Sequence, residues 1–323
     1  MNEKIFVEIN GMKQGMFLQS ENIENPVLLF LHGGAGSPEI AFTAQYPTGF
    51  EKIFTVCWWE QRGSGMSYSR SITKEEMTIG QMISDTIAVA HYLRKRFNKE
   101  KIYVMGHSWG SLLGVLTVQQ APQFFHAYIG IGQVARQLES ERLAYTFMLQ
   151  EFRKTNNKKM IRKLEKFPID KGSEVSIRYL GVRSKGMMKL GIGIMHNCTS
   201  MMECVMIVLR YKGYTLKEKI NFPMGNSFSL KYFWGFVLQT DLIKQVTELK
   251  VPVYIFQGKY DYQVSYVVAK EFATAVNAPV KGFYTFENSA HSPCFEEPEK
   301  MCHILHADVL QGKVDLSDNI EII

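Results

Sequence analysis

The stretch Ile102-Tyr-Val-Met-Gly-His-Ser-Trp-Gly-Ser111 is the part of the chain that decides its predicted fold. An apolar run, Ile102–Met105, leads directly into Gly106-His-Ser-Trp-Gly110, and a helical pattern over 111–120 follows. Gly-x-Ser-x-Gly between a strand and a helix is typical of a nucleophile elbow, a sharp turn that exposes the serine hydroxyl at the end of the strand. The glycines are needed because a Cβ at either position would clash with the neighbouring strand and helix. We therefore predict that Ser108 is a nucleophile.

Similar short runs of β-branched and aromatic residues occur elsewhere along the chain. They are Val27–Leu31, Phe54–Trp59, Ala127–Ile131, Val253–Phe256 and Phe283–Phe286. Such runs are typical of strands that are buried on both faces. Between two of them, Ile79, Ile83, Ile87 and Ala90 fall on one face of a helix that closes with Arg94-Lys-Arg96. This alternation predicts an α/β protein with a mostly parallel sheet and helices on both faces.

The alternation stops between residues 136 and 244. This stretch has helical patterns without convincing strands, and it contains nine of the 17 methionines. We predict that residues 136–244 form a helical cap inserted into a core domain made of residues 1–135 and 245–323. The methionines either fill the core of the cap or line an adaptable pocket, and both alternatives stay open.

The net charge of +6 is unevenly distributed. Residues 136–244 contain 20 Lys and Arg against nine Asp and Glu, a balance of +11. Much of the excess lies in Arg153–Lys166, where apolar residues recur at helical spacing, so we interpret this run as a solvated helix face. It lacks interleaved aromatic residues or a known motif, and we therefore expect no nucleic-acid partner.

Several observations point to a cytoplasmic protein without a membrane span. The N-terminus lacks a basic segment followed by a long apolar run, and the most apolar window, Met187–Leu209, is interrupted by charged residues. The five cysteines are an odd number without a Cys-x-x-Cys pair, so we expect free thiols rather than disulfides or a zinc site. We expect no metal or organic cofactor, and the oligomeric state stays open.

A serine nucleophile needs a base, and the base needs an orienting carboxylate. After an elbow of this kind, the expected chain order is serine, acid, histidine. Asp261 comes just after the run Val253–Phe256, and His291 comes just after Phe283–Phe286. Both would lie at the same edge of the sheet as Ser108, where ligand sites of open α/β sheets lie. We therefore predict Asp261 as the orienting acid and His291 as the general base.

A glycine-rich loop completes the predicted chemistry. The segment His32-Gly-Gly-Ala-Gly36 follows the run Val27–Leu31, and its backbone N–H groups can turn towards a developing oxyanion. We assign the oxyanion hole to the backbone N–H groups of Gly34 and Trp109. A phosphate-binding loop is the competing interpretation, but the segment has neither a Gly-Lys-Ser/Thr ending nor a glycine pattern that opens a helix.

Five motifs in this order resemble those of the proline iminopeptidase group of α/β-hydrolases. They are His32-Gly-Gly-Ala-Gly36, Glu60-Gln-Arg-Gly-Ser-Gly65, Gly106-His-Ser-Trp-Gly-Ser111, Gly258-Lys-Tyr-Asp261, and Ala290-His-Ser-Pro with Glu296-Glu-Pro-Glu299. The resemblance covers most of the core and little of the cap. Departures from the family pattern are Ala35, Glu60 and His107, where the family often has Pro, Asp and Gly.

The resemblance implies the α/β-hydrolase fold and an enzyme that cleaves a small molecule or short peptide through an acyl-enzyme. It also implies that cap carboxylates bind the substrate's amino terminus, and Glu203 is the candidate for that role. Several of the motifs are shared with other hydrolases. An aminopeptidase, a carboxylesterase or lactonase, and a non-catalytic ligand-binding protein on the same fold therefore remain alternatives.

Overall fold

A computed structural model describes residues 1–169, 175–198 and 200–319. Its centre is an eight-stranded sheet with the order β1-β2-β4-β3-β5-β6-β7-β8. The strands are β1 (Asn2–Ile9), β2 (Met12–Gln19), β3 (Val27–Leu31), β4 (Thr55–Trp59), β5 (Ile102–His107), β6 (Phe125–Ile131), β7 (Val253–Gly258) and β8 (Lys281–Phe286). The pairs from β4 to β8 in this order are parallel, whereas the β1–β2 and β2–β4 pairs are antiparallel. The predicted α/β class with a mostly parallel sheet is therefore confirmed.

All six strands that the sequence predicts are present, with ends that differ by no more than two residues. Their side chains are buried on both faces because helices cover both sides of the sheet. Leu29 and Val104 belong to the core on one face, and Leu28 and Met105 belong to the core on the other. Continuous apolar runs, rather than alternating ones, are the expected sequence of such strands.

The N-terminal hairpin of β1 and β2 was not predicted. β1 is the edge strand; its residues Phe6 and Glu8 are exposed while Ile5, Val7 and Ile9 are partly or fully buried, so it lacks the long apolar run of a strand buried on both faces. The turn between the strands, Asn10-Gly11, has positive φ angles of 46° and 73°. Asn-Gly between alternating strands is a strong hairpin signal, and it could have identified this element from the sequence.

The helices lie on both sides of the sheet and in the segment between β6 and β7. They are α1 (Ile40–Thr43), α2 (Phe50–Ile53), α3 (Ile79–Arg96), α4 (Trp109–Gln120), α5 (Gln137–Lys154), α6 (Lys158–Leu164), α7 (Ile177–Leu190), α8 (Met201–Arg210), α9 (Leu216–Gln239), α10 (Leu242–Gln245), α11 (Tyr266–Ala275), α12 (Pro293–Glu296) and α13 (Pro298–Ile304). Helix α3 is the one predicted from Ile79, Ile83, Ile87 and Ala90. Of these four only Ala90 is fully buried, and Met82, Val89 and Leu93 form the rest of the buried face.

The described residues between β6 and β7 form helices α5 to α10. An isolated antiparallel bridge between Arg136 and Asp241 marks the place where this segment leaves and rejoins the sheet region. Most of its methionines are core residues, such as Met148 and Met187. In the charged run 153–166, Met160 and Leu164 are buried while most Lys and Arg residues are exposed, as expected of a solvated helix face. The division into a core and a cap at residues 136 and 244 stays a prediction.

Candidate active site

Ser108 lies in a tight turn between the last residue of β5 and the first residue of α4. Its φ of 55° and ψ of −120° form a backbone conformation that residues with side chains rarely adopt. A Cβ on Gly106 would lie 2.2 Å from the carbonyl oxygen of Gly110, and a Cβ on Gly110 would lie 1.9 Å from that of Leu31 in β3. The turn therefore requires glycine at both positions.

Asp261 and His291 are in direct contact at the same edge of the sheet. Nδ1 of His291 lies 2.8 Å from Oδ2 of Asp261. Oδ1 of Asp261 accepts hydrogen bonds from the backbone N–H groups of Gln263 (2.9 Å) and Val264 (3.0 Å). Oδ2 also accepts one from the side-chain amide of Gln257 at 2.8 Å. These bonds fix the carboxylate in the orientation that meets the imidazole ring.

The electrostatic surroundings of His291 suit a general base. Burial lowers the pKa of His291 below the usual value for histidine, and the nearby Asp261 carboxylate offsets only part of that effect. The imidazole is therefore neutral at pH 7. Its Nε2 atom makes no hydrogen bond to the part of the chain that the structure describes, and no hydrogen bond joins it to Ser108 there. Both residues line the same cavity.

The loop after β3 brings backbone N–H groups close to Ser108. A Cβ on Gly33 would lie 3.2 Å from the Cβ of Ser108, and the backbone N–H of Gly33 donates to Oε1 of Glu39 at 2.8 Å. Gly34 has φ 115°, in the region that favours glycine. Within the described residues, the backbone N–H groups of Gly34 and Trp109 donate no hydrogen bond. Such unbonded amides are what an oxyanion hole needs.

A cavity of about 420 Å³ opens over these groups. Its polar end contains Ser108, His291, Glu39 and the glycine-rich loop. Its remaining wall is largely apolar and is formed by Phe42, Ile194, Met201, Cys204, Val205, Val208, Leu209, Phe222, Pro223 and Phe295. The volume suits a small ligand with an apolar part. Among the described residues, Met201 is the one methionine in this wall. The methionines of residues 136–244 therefore serve mainly as core.

Glu203 does not line this cavity. It belongs to α8, the helix that presents Val205 and Val208 to the cavity, but its carboxylate accepts a hydrogen bond from the Tyr46 hydroxyl at 2.8 Å. The structure therefore does not bring Glu203 together with the three predicted catalytic residues. Lys219 is in the cavity lining, and no carboxylate among the described residues lies within 4 Å of its ammonium group.

Three residues next to the site were given no role from the sequence. His107 and Glu39 form a buried pair, with Nδ1 of His107 at 2.9 Å from both carboxylate oxygens. Gly132 packs against His291, because a Cβ at this position would lie 2.8 Å from Cε1 of the ring. Gly132 comes directly after a predicted strand, and that position was an available signal. The Glu39 pair has no local signal, since its members are 68 residues apart.

Two other features of the molecule bear on where a ligand binds. Within residues 1–169, 175–198 and 200–319, no group of three or more His, Cys, Asp or Glu side chains is arranged to hold a metal ion. A larger depression of about 620 Å³ lies beside Lys4, Phe17 and Tyr211. It contains none of the predicted catalytic residues, so the chemistry is expected at the smaller cavity.

Comparison with known proteins assigns the family. Residues 26–298 match the model of the α/β hydrolase fold family. A "probable aminopeptidase" of Bacillus subtilis (strain 168) is 34% identical over 299 residues, which cover 93% of each chain. A proline iminopeptidase of Saccharolobus solfataricus is 25% identical over 87% of this chain and 84% of that protein.

A solved structure shows the same fold. The proline iminopeptidase-related protein of Thermus thermophilus superposes with a TM-score of 0.64 at 16% identity, covering 95% of this chain and 98% of that one. Among the described residues, no helix is long and apolar enough to cross a membrane.

Proposed function

This chain belongs to the α/β hydrolase family and is a hydrolase that resembles the proline iminopeptidase group. On that premise we propose that it is a serine hydrolase with Ser108, His291 and Asp261 as its catalytic triad. The observation that supports this best is the Asp261–His291 contact of 2.8 Å beside a cavity that Ser108 also lines. The neutral state of His291 at pH 7 supports its role as the base.

The proposed reaction is a two-step acyl transfer. The Ser108 hydroxyl attacks the substrate carbonyl carbon while Nε2 of His291 takes its proton, and the negative charge that develops on the carbonyl oxygen is stabilised by the backbone N–H groups of Gly34 and Trp109. His291 then gives the proton to the leaving amine or alcohol, and an acyl-enzyme remains. Water attacks the acyl-enzyme by the same route and restores the serine. Asp261 holds the proton on Nδ1, so that Nε2 has the lone pair.

The leading proposal for the substrate is a short peptide or aminoacyl amide. The names of the two relatives, a probable aminopeptidase and a proline iminopeptidase, support it. One observation favours a carboxylic ester or lactone instead. The carboxylate in the cavity lining, that of Glu39, is already paired with His107, and the charged side chain of Lys219 is a cation that would repel a substrate ammonium group.

We further propose that residues 136–244 act as the cap, since α8 and α9 supply much of the apolar wall of the cavity.

The proposed compartment is the cytoplasm. The five cysteines are free thiols, which suits a reducing environment.

A substrate panel separates the two substrate classes. Aminoacyl amides, the same amides with an acetylated amino group, and short-chain acyl esters are compared by kcat/KM. An aminopeptidase cleaves the free amides and loses most of this activity on acetylation, because the ammonium group contributes binding energy. Turnover of esters alone would reject the aminopeptidase and favour the esterase. A lack of covalent labelling of Ser108 by a fluorophosphonate would reject the serine mechanism itself.

A further inference from the structure

Glu39 lies just before α1, and its buried carboxylate contacts two segments of the active site. Oε1 accepts the backbone N–H of Gly33 at 2.8 Å, next to the proposed oxyanion donor Gly34. Both oxygens face Nδ1 of His107 at 2.9 Å, and His107 precedes the proposed nucleophile Ser108. One side chain therefore joins the glycine-rich loop to the nucleophile turn.

The other nitrogen of His107 extends this connection to the third segment. Nε2 of His107 lies 2.8 Å from the main-chain carbonyl oxygen of His291. A carbonyl oxygen only accepts hydrogen bonds, so Nε2 carries a proton and donates it. Burial works against a charged ring, but the Glu39 carboxylate, the His291 carbonyl oxygen and Asp261 together outweigh it and raise the pKa of His107 above the usual value for histidine. Both ring nitrogens of His107 face oxygen atoms, Nδ1 those of the Glu39 carboxylate and Nε2 that of His291, so the ring connects Glu39 to the base loop.

We propose that Glu39, acting through His107, is a positioning residue that holds the oxyanion loop, the nucleophile turn and the base loop at their working separations. This inference rests on the proposed serine mechanism. The contacts of the Glu39–His107 pair involve Gly33, His107 and His291. Each of these residues is either a proposed reacting residue or the immediate neighbour of one. Displacing a reacting group by about 1 Å can cost about 10²-fold in rate, so a link between these segments has a direct effect on catalysis.

Two other roles of the pair make different predictions. If it only stabilised the fold, its loss would lower the melting temperature without slowing the chemistry of the folded protein. If the Glu39 carboxylate bound the substrate's amino terminus, its negative charge would matter more than its reach. Reach and charge can be separated, because glutamine keeps the length of Glu39 and aspartate keeps the charge.

Glutamine at position 39 can preserve all three contacts. Its side-chain oxygen still accepts the Gly33 N–H, and its amide N–H can donate to Nδ1 of a neutral His107 that keeps its proton on Nε2. Aspartate is one methylene shorter, so it cannot reach Gly33 and His107 together. A positioning role therefore predicts that Glu39→Gln is more active than Glu39→Asp on any probe. A charge role predicts the reverse order on aminoacyl amides and wild-type rates for both variants on a probe without an amino group.

The test is the rate of covalent labelling of Ser108 by a fluorophosphonate, which contains no amino group and needs no substrate contact. We expect Glu39→Gln to be labelled within about fivefold of the wild-type rate and Glu39→Asp about 100-fold more slowly. The matched control is Asp85→Asn, which alters a buried ion pair with Arg62 (2.7 Å) outside the cavity lining. It should be labelled within about twofold of wild type.

The reverse order of the two variants, or wild-type rates in both, would overturn the positioning role. Melting temperatures measured on the same samples confirm that each variant is folded at the assay temperature. If the wild-type protein itself were not labelled, the serine mechanism would fail, and that outcome is distinct from a failure of the positioning role.

Discussion

Oδ1 of Asp261 accepts two backbone N–H groups while its Oδ2 accepts Nδ1 of His291 at 2.8 Å, so this carboxylate is both a turn residue and a partner of the histidine. The two roles use different oxygens. An asparagine at this position would keep its oxygen on the two backbone N–H groups and would therefore present its NH₂ group to the imidazole.

Asp261→Asn tests this arrangement. The NH₂ group can only donate, so Nδ1 of His291 must lose its proton, and the lone pair of Nε2 is then no longer available for Ser108. We expect kcat to fall by roughly 10⁴ at neutral pH. Stability should fall by about 1–3 kcal/mol, because the NH₂ group also faces the donating amide of Gln257. Near-normal kcat with a lowered melting temperature would leave Asp261 only its turn role.

The contact between Gly132 and His291 gives a second prediction. Gly132 has φ 54°, and a Cβ there would lie 2.8 Å from Cε1 and 2.9 Å from Nδ1 of the ring. We expect Gly132→Ala to displace the imidazole and lower kcat by about 10²-fold.

The matched control for this variant is Gly312→Ala. Gly312 has a similar φ of 65°, but a Cβ there would meet nothing within 4 Å. Alanine should cost about 1–2 kcal/mol of backbone strain at either position, so both variants should melt earlier. Only the Gly132 variant should lose activity, and equal losses of kcat in both would show that strain rather than the ring contact matters.

The pH dependence of kcat/KM follows from the state of His291. Burial lowers its pKa below the usual value of about 6.5, so the ring becomes protonated only at more acidic pH. The acid limb of the profile should therefore have its midpoint below that value, and activity should be retained at pH 6.5. A midpoint above 7 would mean that the neutral form of His291 is not the group that limits the reaction.

The sequence could place the three proposed catalytic residues at one edge of the sheet because each follows a strand. Parallel strands buried on both faces have continuous apolar runs, and the residues after their carboxyl ends meet at one edge. Ser108, Asp261 and His291 were proposed in this way. Glu39 was not, because its contact with His107 depends on how the glycine-rich loop turns back towards β5, and no local pattern encodes that path.

Helix α8 shows a second limit of sequence reasoning. Residues 201–210 form an amphipathic helix, but the pattern does not define which cavity or neighbour each side faces. The structure directs Val205 and Val208 towards the cavity and Glu203 towards Tyr46. Glu203, a candidate because of its charge, therefore lies outside the cavity lining because it is on a different side of the helix from Val205 and Val208.

That placement leads to a prediction for Glu203. Glu203→Gln should leave kcat/KM for aminoacyl amides within about threefold of wild type, because glutamine can still accept the Tyr46 hydrogen bond and the residue does not line the cavity. A tenfold or greater increase in KM for free amides, with no change for their acetylated forms, would instead show that Glu203 binds the amino terminus.

The most direct test of the proposed serine mechanism is the behaviour of Ser108→Ala. The substitution removes one hydroxyl and leaves the glycines of the turn in place, so the melting temperature should stay close to that of the wild type. We expect kcat to fall by about 10⁴ to 10⁶, and the fluorophosphonate adduct found on Ser108 of the wild type to be absent from the variant. A variant that keeps more than a tenth of the wild-type kcat would contradict the assignment and show that another residue attacks the substrate.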